Sequence, residues 1–110
     1  MTEKELQNKK DLELIEEIVK RDYVPGNLIF PHEIAARLSM KKIDVYNIML
    51  VLERKCLVQK IYQTSCPECK NMHIRETIND VSLHERCEKC GGMYNGLDNC
   101  YVLFRKLREV

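Results

Sequence analysis

Four cysteines arranged in two pairs are the residues of this chain best suited to carry chemistry. Cys66 and Cys69 form one C-x2-C pair, Cys87 and Cys90 form the other, and 17 residues separate the pairs. This spacing is typical of zinc sites, because two residues between cysteines let one tight turn direct both thiolates at one ion. The spacing predicts one structural Zn²⁺ per chain, held by four thiolates that leave no position for water.

Three other uses of these cysteines make different demands on the chain. A redox pair such as Cys-Pro-x-Cys is expected in a βαβ context, whereas a helix and one strand are predicted before Cys66. A disulfide framework requires an oxidising compartment, and residues 1–6 are charged rather than apolar, which argues against a secretory signal and predicts a cytoplasmic location. An iron–sulfur cluster uses the same ligands and stays compatible with the sequence.

The turns after each pair need backbone freedom. Gly91 and Gly92 follow the second pair and supply it, since glycine adopts positive φ without steric cost. Lys70 and Asn71 follow the first pair, and Asn71 is the residue expected to tolerate the left-handed region.

The remaining cysteines and the nearby histidines are given structural roles. Cys56 and Cys100 lie outside the pairs and are predicted to be small core residues, because buried free cysteine is common. His73 and His84 lie between the pairs, where four thiolates already complete the site, so both are predicted to be surface or hairpin residues.

Composition narrows the class of protein. The chain has 110 residues, enough for one domain or two small modules, and 18 basic against 17 acidic residues give a net charge of +1, so overall charge does not indicate nucleic-acid binding. No apolar run is long enough to span a membrane. We find no internal repeat, no glycine-rich phosphate loop and no Ser/His/Asp set. An enzyme is therefore not expected, nor is a small-molecule substrate.

Apolar periodicity predicts three helices. Residues 1–10 are rich in Lys and Glu and are set apart as a charged segment, either frayed helix or disordered. A helix is predicted from Asp11 to the Pro25-Gly26-Asn27 turn, a second over residues 32–38 with Pro31 in its first turn, and a third over about residues 41–55.

Two strands are predicted around the cysteine pairs. Residues 57–63 are rich in β-formers, and residues 101–107 form an apolar run after an Asn-Gly turn. We predict that these two segments pair, with the cysteine element inserted between them. The predicted fold is α+β: a charged segment at 1–10, a winged helix-turn-helix at 11–64, a zinc-ribbon-like element at 65–99 inserted at or following the wing, and a returning strand and C-terminus at 100–110.

The segments Glu33–Leu38 and Val45–Val58, together with the four paired cysteines, resemble the winged-helix plus zinc-ribbon modules of prokaryotes. The large subunit of archaeal general transcription factor E combines the same two parts, and small modules of bacterial defence loci look similar. In this pattern Cys56 stands where winged helices often carry glycine. The resemblance implies a nucleic-acid-associated or transcription-type regulator.

Candidate DNA contacts follow from that interpretation. The third helix offers Lys41, Lys42 and Asn47 to a groove. Further basic residues stand on the helix exit and on the two predicted strands, where they would form a positive edge for a phosphate backbone: Arg54, Lys55, Lys60, Arg105 and Lys106. A solvated, charged edge strand is the alternative interpretation.

The apolar run within the third helix points to a different class of function. Ile48, Leu50 and Val51 surround the helix with apolar surface, which suits phosphates poorly. Either they are covered within the fold, or they form a surface for a protein partner or a second copy. A non-enzymatic adaptor subunit, for instance of a bacterial defence system, is thus the alternative function.

Overall fold

Three helices and six strands make up the part of the chain that this computed structural model describes, residues 2–108. In chain order they are α1 Glu3–Asp22, β1 Leu28–Ile29, α2 Pro31–Leu38, α3 Lys42–Arg54, β2 Val58–Ser65, β3 Met72–Arg75, β4 Glu85–Arg86, β5 Met93–Tyr94 and β6 Cys100–Lys106. A single 3₁₀ turn, Ile78–Asp80, lies between β3 and β4. The mixed α+β architecture is confirmed, and none of the described helices is both long and apolar enough to cross a membrane.

The strands form one four-stranded antiparallel sheet, in the order β1-β6-β2-β3, and a separate β4-β5 pair. The predicted pairing of the strand before the cysteines with the strand after them is confirmed, because β6 lies beside β2. The chain divides into a helical unit, Met1–Gln59 with Phe104–Val110, and a knuckle unit, Lys60–Leu103. β2 and β6 contribute residues to both.

In the helical unit, α1 is longer than its periodicity predicts. The hydroxyl of Thr2 accepts the amide N–H of Glu5 at 3.1 Å and so caps the helix, which begins at Glu3 rather than near Asp11. Within the described residues, the charged segment predicted at 1–10 is therefore part of α1.

The second and third helices begin and end close to the predicted positions. Pro31 occupies the first turn of α2, and Ser39 ends that helix in the left-handed conformation with φ 54°.

After α3 the chain turns at Cys56, whose φ of 62° is the conformation for which glycine is preferred. Cys56 is exposed, so its prediction as a core residue is wrong. The backbone requirement of the turn, rather than burial, accounts for its position.

Apolar side chains fill the core of the helical unit. One stripe of each helix and the apolar residues of the strands are fully or nearly fully buried: Ile15, Ile18, Val19, Ile29, Ile34, Val45, Met49, Leu52, Val58 and Phe104. The Tyr46 and Phe104 rings lie 5.9 Å apart. This unit buries a continuous apolar core of its own.

Candidate metal centre

Two hairpins of the same construction carry the four cysteines. In the first, β2 and β3 pair with Ser65 opposite Met72; in the second, β4 and β5 pair with Arg86 opposite Met93. In each hairpin the first cysteine follows directly after the last paired residue of the leading strand. Equal register on both sides means that each C-x2-C turn closes its hairpin in the same way.

The first C-x2-C turn with the residues that close it, 66–71, is here called the first knuckle. It is closed by two backbone hydrogen bonds. The amide of Cys66 donates to the Asn71 carbonyl at 2.9 Å, and the amide of Lys70 donates to the Cys66 carbonyl at 2.8 Å. The left-handed residue is Lys70, with φ 64°, and not Asn71 as predicted. The turn requires positive φ at the fourth position after its first cysteine, and that position is fixed by the hydrogen bond rather than by residue preference.

The second knuckle repeats this arrangement. Cys87 donates to the Gly92 carbonyl and Gly91 donates to the Cys87 carbonyl, both at 2.8 Å, and Gly91 has φ 74°. The sequence carries a signal of this equivalence, because the pattern C-x2-C-x2-Met occurs at both sites. It is a local match of seven residues and not a periodic repeat of the chain, which is why periodicity alone does not find it.

The two knuckles bring the four sulfur atoms together. The Sγ atoms of Cys66, Cys69, Cys87 and Cys90 all lie within 4.8 Å of one another. Sulfur atoms of different knuckles approach closely, with 3.3 Å from Cys69 to Cys87 and 3.7 Å from Cys66 to Cys90. For a Zn–S distance of about 2.3 Å, tetrahedral geometry places sulfur atoms roughly 3.8 Å apart. The cluster is therefore of the right size to hold a metal ion.

Backbone amides prepare the sulfur atoms for a cation. The amide of Cys90 donates to the Cys87 sulfur and lowers the pKa of that thiol to about 6. The Gly92 amide also lowers the pKa of Cys90, but the sulfurs of Cys87 and Cys66 and the loss of hydration outweigh it and raise that pKa to about 12. The Cys87 thiolate thus forms first, whereas Cys90 holds a proton that a metal ion would displace.

A small cluster lies behind the cysteines. Cys66, Cys87 and Tyr94 are buried against one another, and the Tyr94 hydroxyl donates to the buried Thr64 hydroxyl at 3.3 Å. This bond joins β5 to β2 and therefore joins the two hairpins. No sequence signal identifies this role of Tyr94, since nothing local indicates which residue its hydroxyl contacts.

An ion pair makes a second connection between the hairpins. Arg75 on β3 donates to the carboxylate of Glu85 on β4 at 3.1 Å, and the other Glu85 oxygen accepts the amide of Ser82 at 2.9 Å. Glu85 is only 7% exposed. The chain passes close to this ion pair at Gly96, where a Cβ would overlap the Ser82 carbonyl oxygen. Only glycine fits there.

The structure divides the predicted DNA-contacting residues. Lys41, Lys42, Asn47 and Arg54 are exposed along α3, and Lys41 stands at the N-cap of that helix with no side-chain capping bond. These four residues belong to one helix and its cap, at accessible positions.

The other basic candidates have different surroundings. Lys55 is exposed and pairs with Glu16 at 3.0 Å, while Lys60 and Arg105 are half-buried. Lys106 is only 6% exposed, and its Nζ donates to the carbonyls of Lys20 and Tyr23 at 2.9 and 2.7 Å. Lys106 therefore caps the C-terminal end of α1 instead of facing solvent. Lys106 therefore does not contribute to the predicted positive edge, and β2 and β6 are the two central strands of their sheet rather than edge strands.

The three predicted protein-contacting residues are half-buried. Ile48 and Val51 line an open groove of about 500 Å³ between α1 and α3, together with Leu12, Met40 and Asn47. Leu50 is not among the residues that line it. Polar groups of Asn8, Lys9, Asp11 and Asp44 stand around the same groove. The groove therefore has an apolar floor and a rim of mixed polar and charged residues.

Comparison of the chain with known protein families, with curated proteins and with solved structures found no match.

Proposed function

We propose that the four cysteines hold one Zn²⁺ per chain as a structural ion. The observation that supports this is the pair of equivalent knuckles, which supplies four thiol ligands and leaves no position for a substrate or water. Bound zinc would act as a cross-link between the two hairpins. The buried pair Cys66 and Cys87 and the exposed pair Cys69 and Cys90 would all be ligands.

Native mass spectrometry with metal analysis of the same sample tests the identity of the ion. We expect one zinc per chain and no visible absorption, because Zn²⁺ has a filled d shell. If iron with visible charge-transfer bands were found instead, the zinc proposal would be wrong and the site would be an iron–sulfur or iron–thiolate centre.

We further propose that the protein is a nucleic-acid-associated, transcription-type regulator with a winged helix-turn-helix in its helical unit. The supporting observation is the start of α3, which has no side-chain cap and carries exposed Lys41 and Lys42, with exposed Asn47 further along. Uncapped amides and the helix dipole favour a phosphate at this end, and an amide side chain suits a base edge.

Salt-dependent binding to mixed duplex DNA tests this proposal. Replacing Lys41 and Lys42 by alanine should reduce the log–log salt slope by roughly 0.9 for each phosphate that the variant no longer neutralises. Replacing Lys10 and Lys20 by alanine removes the same two positive charges from exposed positions of α1 and serves as the control. No binding at low salt, or an equal reduction in the control, would contradict the proposal.

A second candidate function, a non-enzymatic adaptor, is favoured by the groove between α1 and α3. Its apolar floor at Leu12, Ile48 and Val51 could receive side chains of a protein partner. Lys9 stands on the rim, where an amine-reactive cross-linker would record such a partner.

Cross-linking mass spectrometry on the protein purified from its own cells tests the adaptor. Val51→Asp should abolish partner cross-links at Lys9, whereas Ile43→Asp, on the same helix but outside the groove and 59% exposed, should leave them. Equal effects of the two substitutions would remove the groove from consideration.

A further inference from the structure

The β3 strand lies at the end of the four-stranded sheet. β2 pairs with one side of Met72–Arg75, and no strand within residues 2–108 pairs with its other side. An edge strand of this kind offers its outward N–H and C=O groups to another strand.

The alternation of hydrogen bonds between β2 and β3 shows which residues of β3 direct their N–H and C=O groups outward. Cys66 donates to Asn71, so the backbone groups of Asn71, and of every second residue after it, face β2. His73 and Arg75 therefore direct their N–H and C=O groups into the sheet. Met72 and Ile74 direct theirs outward.

The side chains of the same two residues are exposed on one face of the sheet. Met72 is 61% exposed and Ile74 is 37% exposed. Gln63 lies opposite Ile74, and because Ser65 bonds to Asn99, Gln63 also lies opposite Tyr101, which is 62% exposed. Exposed apolar side chains thus extend from the edge across three strands, on both sides of Gln63.

We propose that β3 is the edge through which two copies of this chain pair as an antiparallel, two-fold symmetric dimer. In the register that places Met72 opposite Ile74 of the second copy, each such pair exchanges both of its N–H···O bonds. His73 then lies on the two-fold axis, as an isologous interface requires.

Charge complementarity favours this register. Just beyond the two ends of β3 it brings exposed Lys70, in the turn before the strand, to the side of exposed Glu76 of the second copy, on both sides of the axis. The apolar surface of Met72, Ile74 and Tyr101 would continue from one copy into the other. The knuckle unit, whose own buried cluster is small, would gain a covered face.

Sedimentation equilibrium of the metal-loaded, full-length protein without DNA tests the pairing. We expect a reversible dimer, and we expect Met72→Lys and Ile74→Lys each to raise its dissociation constant by about tenfold or more, because an edge lysine opposes strand pairing. Met93→Lys is the matched control: Met93 is 62% exposed and follows the second knuckle as Met72 follows the first, but its strand has two residues.

A monomer at all concentrations would overturn the proposal, as would equal weakening by all three lysine substitutions or a dimer that survives them. The register has its own test. Lys70→Glu should weaken the dimer, and adding Glu76→Lys to it should restore the original dissociation constant. A double variant no tighter than Lys70→Glu would overturn this register.

Discussion

Different interactions stabilise the helical unit and the knuckle unit. The helical unit buries a continuous set of apolar side chains from three helices and from strands, and among its largest are Ile15, Met49 and Phe104. The knuckle unit buries fewer apolar side chains: Ile61, Val81 and Leu103, beside the small cluster of Cys66, Cys87 and Tyr94. We expect a unit with a smaller apolar core to depend more on cross-links, here the sulfur cluster, one hydroxyl bond and one ion pair.

The difference between the two units is tested most strongly by replacing one of the four clustered cysteines. Cys66→Ser should abolish metal binding and unfold the knuckle unit, because site formation is coupled to folding with a free energy on the order of 10 kcal/mol in small zinc peptides. Amide hydrogen exchange, read unit by unit, should show protection abolished in the knuckle unit and kept in α1–α3. Cys56→Ser, at an exposed cysteine outside the cluster, is the control and should change neither. A uniform decrease of protection would mean that the two units share one source of stability.

The helical unit should respond to a cavity instead. Leu52 is fully buried, so Leu52→Ala should lower the free energy of unfolding of this unit by about 2–5 kcal/mol while the metal content stays at the wild-type value. Leu14→Ala, at a side chain on α1 that is 44% exposed, should cost far less. Denaturant unfolding followed by helical circular dichroism, with metal analysis, measures both. Loss of metal in Leu52→Ala would contradict the separation.

A smaller effect is expected at the tight approach in the knuckle unit. In Gly96→Ala the new Cβ would meet the Ser82 carbonyl and the Glu85 side chain, and relief of that clash should cost about 1–3 kcal/mol. Gly92→Ala is the matched control in the same unit, since its Cβ would have Cys90 Sγ as its nearest neighbour, at 3.4 Å. Thermal unfolding monitored by metal release compares the two variants. Equal melting temperatures would show that the backbone yields at Gly96.

The smallest effect is expected from a change of pH, which alters the protonation of the cysteines and so the metal affinity. Cys87, with its pKa lowered to about 6, is already a thiolate at pH 7, whereas the raised pKa values of Cys69 and Cys90 leave those thiols protonated without metal. Metal binding at pH 7 should therefore release protons, and affinity should rise about tenfold per pH unit for each proton displaced. Calorimetry in buffers of different ionisation enthalpy counts the protons. Binding without proton release would contradict the assigned protonation states.

Local patterns were enough to predict the three helices, the two strands that flank the cysteines, and the four-cysteine cluster, but not the short hairpin strands β3, β4 and β5. The α2 and α3 boundaries, the pairing of β2 with β6 and the gathering of four cysteines follow from apolar periodicity, turn residues and a fixed C-x2-C spacing. The start of α1 was placed too late because its first turns lack an apolar stripe. The Thr2 cap that fixes this start is a single side-chain bond.

Features that are encoded within a few residues of the chain can be predicted from the sequence: the helices, the turns and the two C-x2-C turns. Three other features depend on how distant segments pack: Lys106 is buried as a helix cap, Cys56 is exposed, and β3 is an edge strand. The same packing also joins Tyr94 to Thr64 and Arg75 to Glu85. Residue type and spacing record local geometry, whereas burial and partners depend on segments that are distant in the chain.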